Sequence, residues 1–144
     1  MSISLDKAIA FAVHHHTKQK DKGGNSYILH VLRVMLQMNS EDDMIVAVLH
    51  DVVEDTPVTL DDLRALGCTE AQLMAIDALT KKEGQTPEQY LALVKQSVVA
   101  RRVKIADVHD NMKLNRLKNR HNLGEKDFQR IQKYLRMLSE LEGI

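Results

Sequence analysis

The sequence predicts an all-α fold: a single helical bundle of about seven or eight helices spanning residues 1–144. Three observations predict it. Six Gly and two Pro punctuate the chain sparsely, as long helices allow. Apolar residues recur at i, i+3 and i+4 in one segment after another. No segment alternates apolar and polar residues as a half-buried strand would, and no internal repeat is present.

Leu5, Ala8, Ile9, Ala12, Val13 and His16 trace an amphipathic first helix of three turns. The polar stretch Lys18 to Ser26, with Gly23-Gly24-Asn25, reads as a loop, and a second helix follows around Ile28, Leu32, Met35 and Met38. Ser40 with Asp43 resembles a capping box. The helix it opens contains Met44-Ile45-Val46-Ala47-Val48-Leu49, apolar all round, and is expected to be the central buried element. Its end is expected near Thr56, because Pro57 disfavours helical dihedrals in the residue before it. Thr59 with Asp62 starts a short helix that Gly67 terminates. Thr69 with Gln72 opens another, and Thr86-Pro87 with Gln89 a third. A long helix is expected from about Val99 to Lys118, and a last one carries Phe128, Ile131, Leu135 and Leu138. Met35, Met38, Met44 and Met74 read as gap-filling core in an aromatic-poor interior.

Composition narrows the function. Twenty basic residues balance twenty acidic ones, and aromatics are 3% with no Trp. Neither the cationic excess nor the stacking platform of a nucleic-acid binder is present. The lone Cys68 cannot form an internal disulfide, and no apolar run reaches the length of a membrane span. Asp6 and Lys7 stand where a signal peptide would be apolar. A soluble, cytoplasmic protein is the expectation.

Two segments concentrate ionisable groups. His50-Asp51-Val52-Val53-Glu54-Asp55 closes the central helix, with His50 and Glu54, and Asp51 and Asp55, four apart. Such groups are costly to bury at the end of an apolar helix unless they bind something; a solvated acidic terminus is the alternative. Asp107, Asp110, Asn111 and Leu114 share a helix face that Val103 and Ala106 extend inward, the alternative being an outward face salt-bridged to Lys104 and Arg101. His30, among Tyr27, Ile28 and Leu29, reads by itself as a hydrogen-bonded core residue. Of His14-His15-His16, only His16 lies on the apolar stripe, at the core or a pocket edge. His109-Asp110 is expected to line the pocket or to hydrogen-bond a ligand residue.

Together, Gln19 through His30 with Val34, then Ala47-Val48-Leu49-His50-Asp51-Val52-Val53-Glu54-Asp55-Thr56, then Lys104-Ile105-Ala106-Asp107 with Asn111-Met112, resemble the HD-domain metal-dependent phosphohydrolases. The similar branch is the hydrolase domain of the RelA/SpoT alarmone enzymes and the small alarmone hydrolases, over roughly residues 5–117. The resemblance implies an all-α enzyme with one divalent ion, usually manganese, held by His30, His50, Asp51 and Asp107. Two imidazoles and two carboxylates suit manganese or iron. It further implies that Glu54 and Asp55 orient and deprotonate a metal-bound water, that Asn111 contacts the nucleotide, and that the loop Lys18-Gln19-Lys20-Asp21-Lys22 represents the family's basic pair that packs against the guanine. By charge, Lys18, Lys20 and Lys22 are expected to give the substrate phosphates a positive potential. The implied substrate is guanosine 3′,5′-bis(diphosphate), or the pentaphosphate, losing its 3′-pyrophosphate. A phosphomonoesterase acting on another small nucleotide and a non-catalytic metal-binding regulatory module are the alternatives. Ser26 and Val31 stand where the family commonly has Pro, and Val108-His109-Asp110-Asn111 where the alarmone branch reads Arg-Leu-His-Asn.

Overall fold

The computed structural model describes residues 2–143 and is all-helical apart from one isolated bridge between Lys20 and Ser26. Eight α-helices of seven residues or more, and one single-turn segment, follow in order: α1 (Leu5–His15), α2 (Tyr27–Leu36), α3 (Glu41–Leu49), the single turn α4 (Val52–Asp55), α5 (Leu60–Leu66), α6 (Glu70–Leu79), α7 (Pro87–Gln96), α8 (Val98–Asn111) and α9 (Glu125–Glu142). The expected starts coincide with side-chain caps. Ser40, Thr59, Thr69 and Thr86 each accept the N–H three residues on, and the three threonines form complete capping boxes. Gly67 ends α5 at φ 113°, a left-handed conformation that glycine adopts without strain.

The apolar helix α3 is the hub, packed against α1, α2, α6 and α8. Ile45 through Leu49 are all buried, so the residues that follow emerge from the middle of the core. The third helix does not run unbroken to Thr56. It breaks at His50-Asp51, because the Ala47 carbonyl, which would accept from Asp51 in a continuous helix, is taken by the His50 backbone N–H (3.4 Å) and by His50 Nδ1 (2.5 Å). Beyond the break, α4 ends where expected, with Thr56 extended before Pro57.

Three other expectations need correction. The helix expected to reach Lys118 ends at Asn111, and a 3₁₀ turn follows at Leu114–Arg116. That turn lets Arg116 fold back so that Nη1 donates to the Asp110 carbonyl, one of the acceptors a helix end leaves open. Leu114 is therefore exposed rather than inward. Met74 lies on the surface, unlike buried Met35 and Met38. On α9 it is Leu138 and Leu141, near its C-terminal end, that are buried, while Phe128 and Leu135 face outward.

Candidate metal centre and its pocket

The break between α3 and α4 decides the geometry. Neighbouring residues on a continuous helix point about 100° apart, yet His50 and Asp51 here face the same point. His50 Nε2 lies 3.1 Å from Asp51 Oδ2 and 3.5 Å from Asp107 Oδ1 on α8. His30, on α2, places Nε2 2.9 Å from the same Asp107 oxygen. One donor atom from each of His30, His50, Asp51 and Asp107 lies within 4.8 Å of all the others, a group that could hold a metal ion. Three of the four residues are buried and Asp51 nearly so.

The donors are oriented from behind. His30 Nδ1 bonds Asp110 Oδ2 at 2.6 Å, and His50 Nδ1 bonds the Ala47 carbonyl. A carbonyl can only accept, so His50 carries its proton on Nδ1 and turns the Nε2 lone pair inward. That Nε2 is buried, without hydrogen-bond geometry to any partner, and faces two carboxylates. A lone pair in that position repels the carboxylates until a proton or a metal ion sits between them. The pKa shifts express the same demand. Burial alone would lower both imidazoles, but the facing carboxylates outweigh it and raise His30, and raise His50 further. The residues present therefore fit a divalent cation, through neutral imidazole nitrogens and hard oxygens.

Each carboxylate is steadied as well. Asp107 gives Oδ1 to the imidazoles and Oδ2 to Lys104 Nζ at 3.0 Å. Lys104 is thus the salt-bridge partner of Asp107, but inside the protein, not on an outward face. Asp51 Oδ2 accepts from the Tyr27 hydroxyl at 2.5 Å. Asp110 is gripped by Arg33 Nε (2.8 Å) and Arg116 Nη1 (3.0 Å), and His30 and Arg33 hold its carboxyl well below the usual range against the effect of burial.

Glu54 and Asp55 stand on α4, immediately beyond Asp51. Glu54 Oε1 accepts the Lys81 N–H at 2.8 Å, and Asp55 Oδ2 accepts from Gln19 Nε2 at 3.3 Å. Desolvation and the neighbouring Asp51 charge raise the Asp55 carboxyl. Lys20, Lys22 and Asn111 line one pocket of about 220 Å³, together with Gln19, Tyr27 and Arg116. It adjoins the cluster through Tyr27, which bonds Asp51, and Gln19, which bonds Asp55. Its loop is locked: Asp21 Oδ1 accepts from Gly23 and Asn25, Asp21 Oδ2 from Arg116 Nη2, and a Cβ on Gly23 would fall 1.6 Å from the Arg116 carbonyl oxygen. His109 is not in this pocket; it is exposed beside Glu142 and lines a separate cleft. His16 is buried against Gln19 and Tyr27, as its place on the apolar stripe implies.

Three contributors were not assigned from sequence. Tyr27 stands three residues before His30 on one helix, a spacing that could have flagged it. Lys104 stands three before Asp107 in the same way. Arg116 had no such signal, because its place depends on the turn that ends α8.

No family model matches the chain. Over 122 residues, 76% of its length, it is 31% identical to the guanosine-3′,5′-bis(diphosphate) 3′-pyrophosphohydrolase of Aquifex aeolicus, covering 17% of that protein. It is 28% identical over 110 residues to the Drosophila melanogaster enzyme of the same name, MESH1, covering 69% of this chain and 62% of that one. The chain spans about a sixth of the length of the first curated relatives it matches. A solved structure, described as a metazoan ortholog of SpoT that hydrolyzes ppGpp, superimposes with TM-score 0.78 at 21% identity, covering 99% of this chain and 88% of that one. The chain is thus similar in sequence to part of the guanosine-3′,5′-bis(diphosphate) 3′-pyrophosphohydrolases, and it shares the all-helical fold of the solved SpoT ortholog.

Proposed function

We propose that the chain is a cytoplasmic, manganese-dependent phosphohydrolase that releases pyrophosphate from the 3′ position of guanosine 3′,5′-bis(diphosphate). The observation that carries this reading is the buried His50 Nε2 lone pair, aimed at Asp51 and Asp107 with His30 beside it. An unprotonated His50 Nε2 facing two carboxylates calls for a cation between them, which a bound metal ion supplies. His30, His50, Asp51 and Asp107 would hold the ion, which when bound supplies Lewis acidity toward a phosphoryl oxygen and acidifies water.

The remaining residues divide the work around that point. Glu54 Oε2 is left to take a proton from the attacking water, since the Lys81 N–H fixes Oε1. The raised carboxyl of Asp55 suits it to hold a proton and return it to the leaving 3′-oxygen. In balance, water adds across the P–O3′ bond, pyrophosphate departs, and the ribose keeps a 3′-hydroxyl. Lys20 and Lys22 supply positive potential for the phosphates. Asn111 spends its Oδ1 on Arg116, so its amide N–H groups are the part available to the nucleotide. The test is to incubate the purified chain and manganese with a nucleotide panel and resolve products by ion exchange. Guanosine 3′,5′-bis(diphosphate) should yield GDP and pyrophosphate; no turnover of any nucleotide would overturn the proposal.

A further inference from the structure

A second cavity, of about 400 Å³, opens between α2 and α8 on the rear side of His30. It shares no lining residue with the pocket of Lys20 and Lys22. In a chain of zero formal charge, this cleft gathers Arg33, Arg102, His109 and Lys113 around a single acid, Asp110. That acid is already engaged by Arg33, Arg116 and His30. Both cleft arginines are held in place by carboxylates. Asp110 grips Arg33 through Nε and Nη2, and Asp43, outside the cleft, grips Arg102 through Nη1. A guanidinium held on one side keeps its other N–H donors oriented, which lowers the entropy lost when an anion binds. The rest of the lining is of another kind: Met38, Ile105 and Ala106 give apolar surface, and Gln37 and Asn39 bring side-chain amides. A cleft of this volume with an apolar wall, amides and fixed cations has the make-up of a small-ligand site.

We propose that this cleft binds a mononucleotide, its phosphate on Arg102, Arg33 and Lys113 and its base against Met38, Ile105 and Ala106. Occupancy reaches the metal centre through one carboxylate. Arg33 Nε and Lys113 (3.5 Å) face Asp110 Oδ1, while Oδ2, which also accepts from Arg33 Nη2 and Arg116 Nη1, holds His30 Nδ1. A phosphate drawing on those cations loosens their hold on Asp110 and strengthens its interaction with His30.

The probe is 5′-AMP, whose adenine is not the base of the proposed substrate, with inorganic pyrophosphate as the arm without a base. The metal-free full chain, labelled with ¹⁵N, is titrated with each and followed by NMR. AMP should shift the amides of Gln37, Asn39, Arg102 and Lys113 and the imidazole of His30. It should bind about tenfold tighter than pyrophosphate, the gain expected from about 1.4 kcal/mol of base contact. The double variant R102E/K113E, which leaves Arg33 and Asp110 in place, should lose these shifts. Its folded spectrum elsewhere should match the wild type. Shifts confined to Lys20, Lys22 and Gly23, or unchanged in R102E/K113E, would overturn the site. Equal affinity for pyrophosphate would remove the base contact, and a silent His30 in an occupied cleft would remove the coupling. None of these outcomes depends on which nucleotide the chain hydrolyses.

Discussion

His30 and Asp110 are eighty positions apart in the chain, yet Nδ1 and Oδ2 meet at 2.6 Å in the interior. The contact fixes the ring so that Nε2 points at Asp107, and the carboxylate makes the ring more basic. Asp110→Asn keeps the shape and removes the charge. Manganese affinity, measured by calorimetric titration, should fall about 10–100-fold, the usual effect of losing such a partner. Unaltered affinity would show that Asp110 serves only Arg33 and Arg116.

The two raised imidazoles give the metal-free protein a signed pH dependence. A group whose folded pKa lies above its unfolded value of 6.5 contributes stability that is complete below that value and lost as pH rises through the folded pKa. In chelator, the melting temperature should therefore decline as pH is raised from about 6 to about 9. Manganese binds the unprotonated rings, so the stabilisation it adds should grow over the same interval. Melting curves with chelator and with manganese check both slopes. A chelated protein that gains stability toward pH 9 would contradict them.

Lys104 Nζ is the buried counter-charge of Asp107 at 3.0 Å. Lys104→Met preserves the length of the side chain and leaves that carboxylate oxygen unpaired. The expected loss is about 3 kcal/mol, the low end for a broken buried pair, because His30 still partners the other oxygen. Urea unfolding in chelator measures it. A loss under about 1 kcal/mol, the range of an exposed pair, would mean that Asp107 does not depend on Lys104.

Much of the fold was legible because the helix starts announce themselves. Thr59, Thr69 and Thr86 are paired with side chains three residues on, and the structure places a complete box at each. Ends were harder. The break at His50 comes from a side chain competing for the Ala47 carbonyl, and the end of α8 from Arg116 folding back; neither leaves a mark in local periodicity. The same contrast holds in the site. His50, Asp51 and Asp107 stood out as charges in apolar segments, whereas His30 by itself looked like a core histidine and gained its place from resemblance. The single expected pocket is two cavities, because Asn111 and His109 lie on different sides of α8.

Glu54→Gln separates proton transfer from metal holding. The amide can still occupy the space beside Lys81 but cannot accept a proton. Turnover should fall about 10²–10⁴-fold, the usual contribution of a positioned base, with metal stoichiometry unchanged. Wild-type turnover would remove Glu54 from the reaction, and loss of the metal would make it a ligand.

Lys20 and Lys22 face the pocket without touching the metal cluster. Changing both to Ala should raise KM chiefly and leave kcat and bound metal nearly unchanged, because uniform binding is what is lost. Steady-state kinetics on the hydrolysed nucleotide decides it. An unchanged KM would take the loop out of the substrate site.

Arg116 reaches Asp21 in the pocket loop and Asp110 behind His30 with a single guanidinium. Local opening of the short turn that carries it would release both at once, so the pocket loop and the backing of His30 form one cooperative unit of partial unfolding. Amide hydrogens of Gly24, Asn25, Arg116 and Leu117, all bonded within this unit, should then exchange at a common rate, faster than those of α3. If the proposed function holds, a protein that opened this way would shed its nucleotide and slacken its metal ligands in the same motion, making release of product and readiness for exchange of the ion one event.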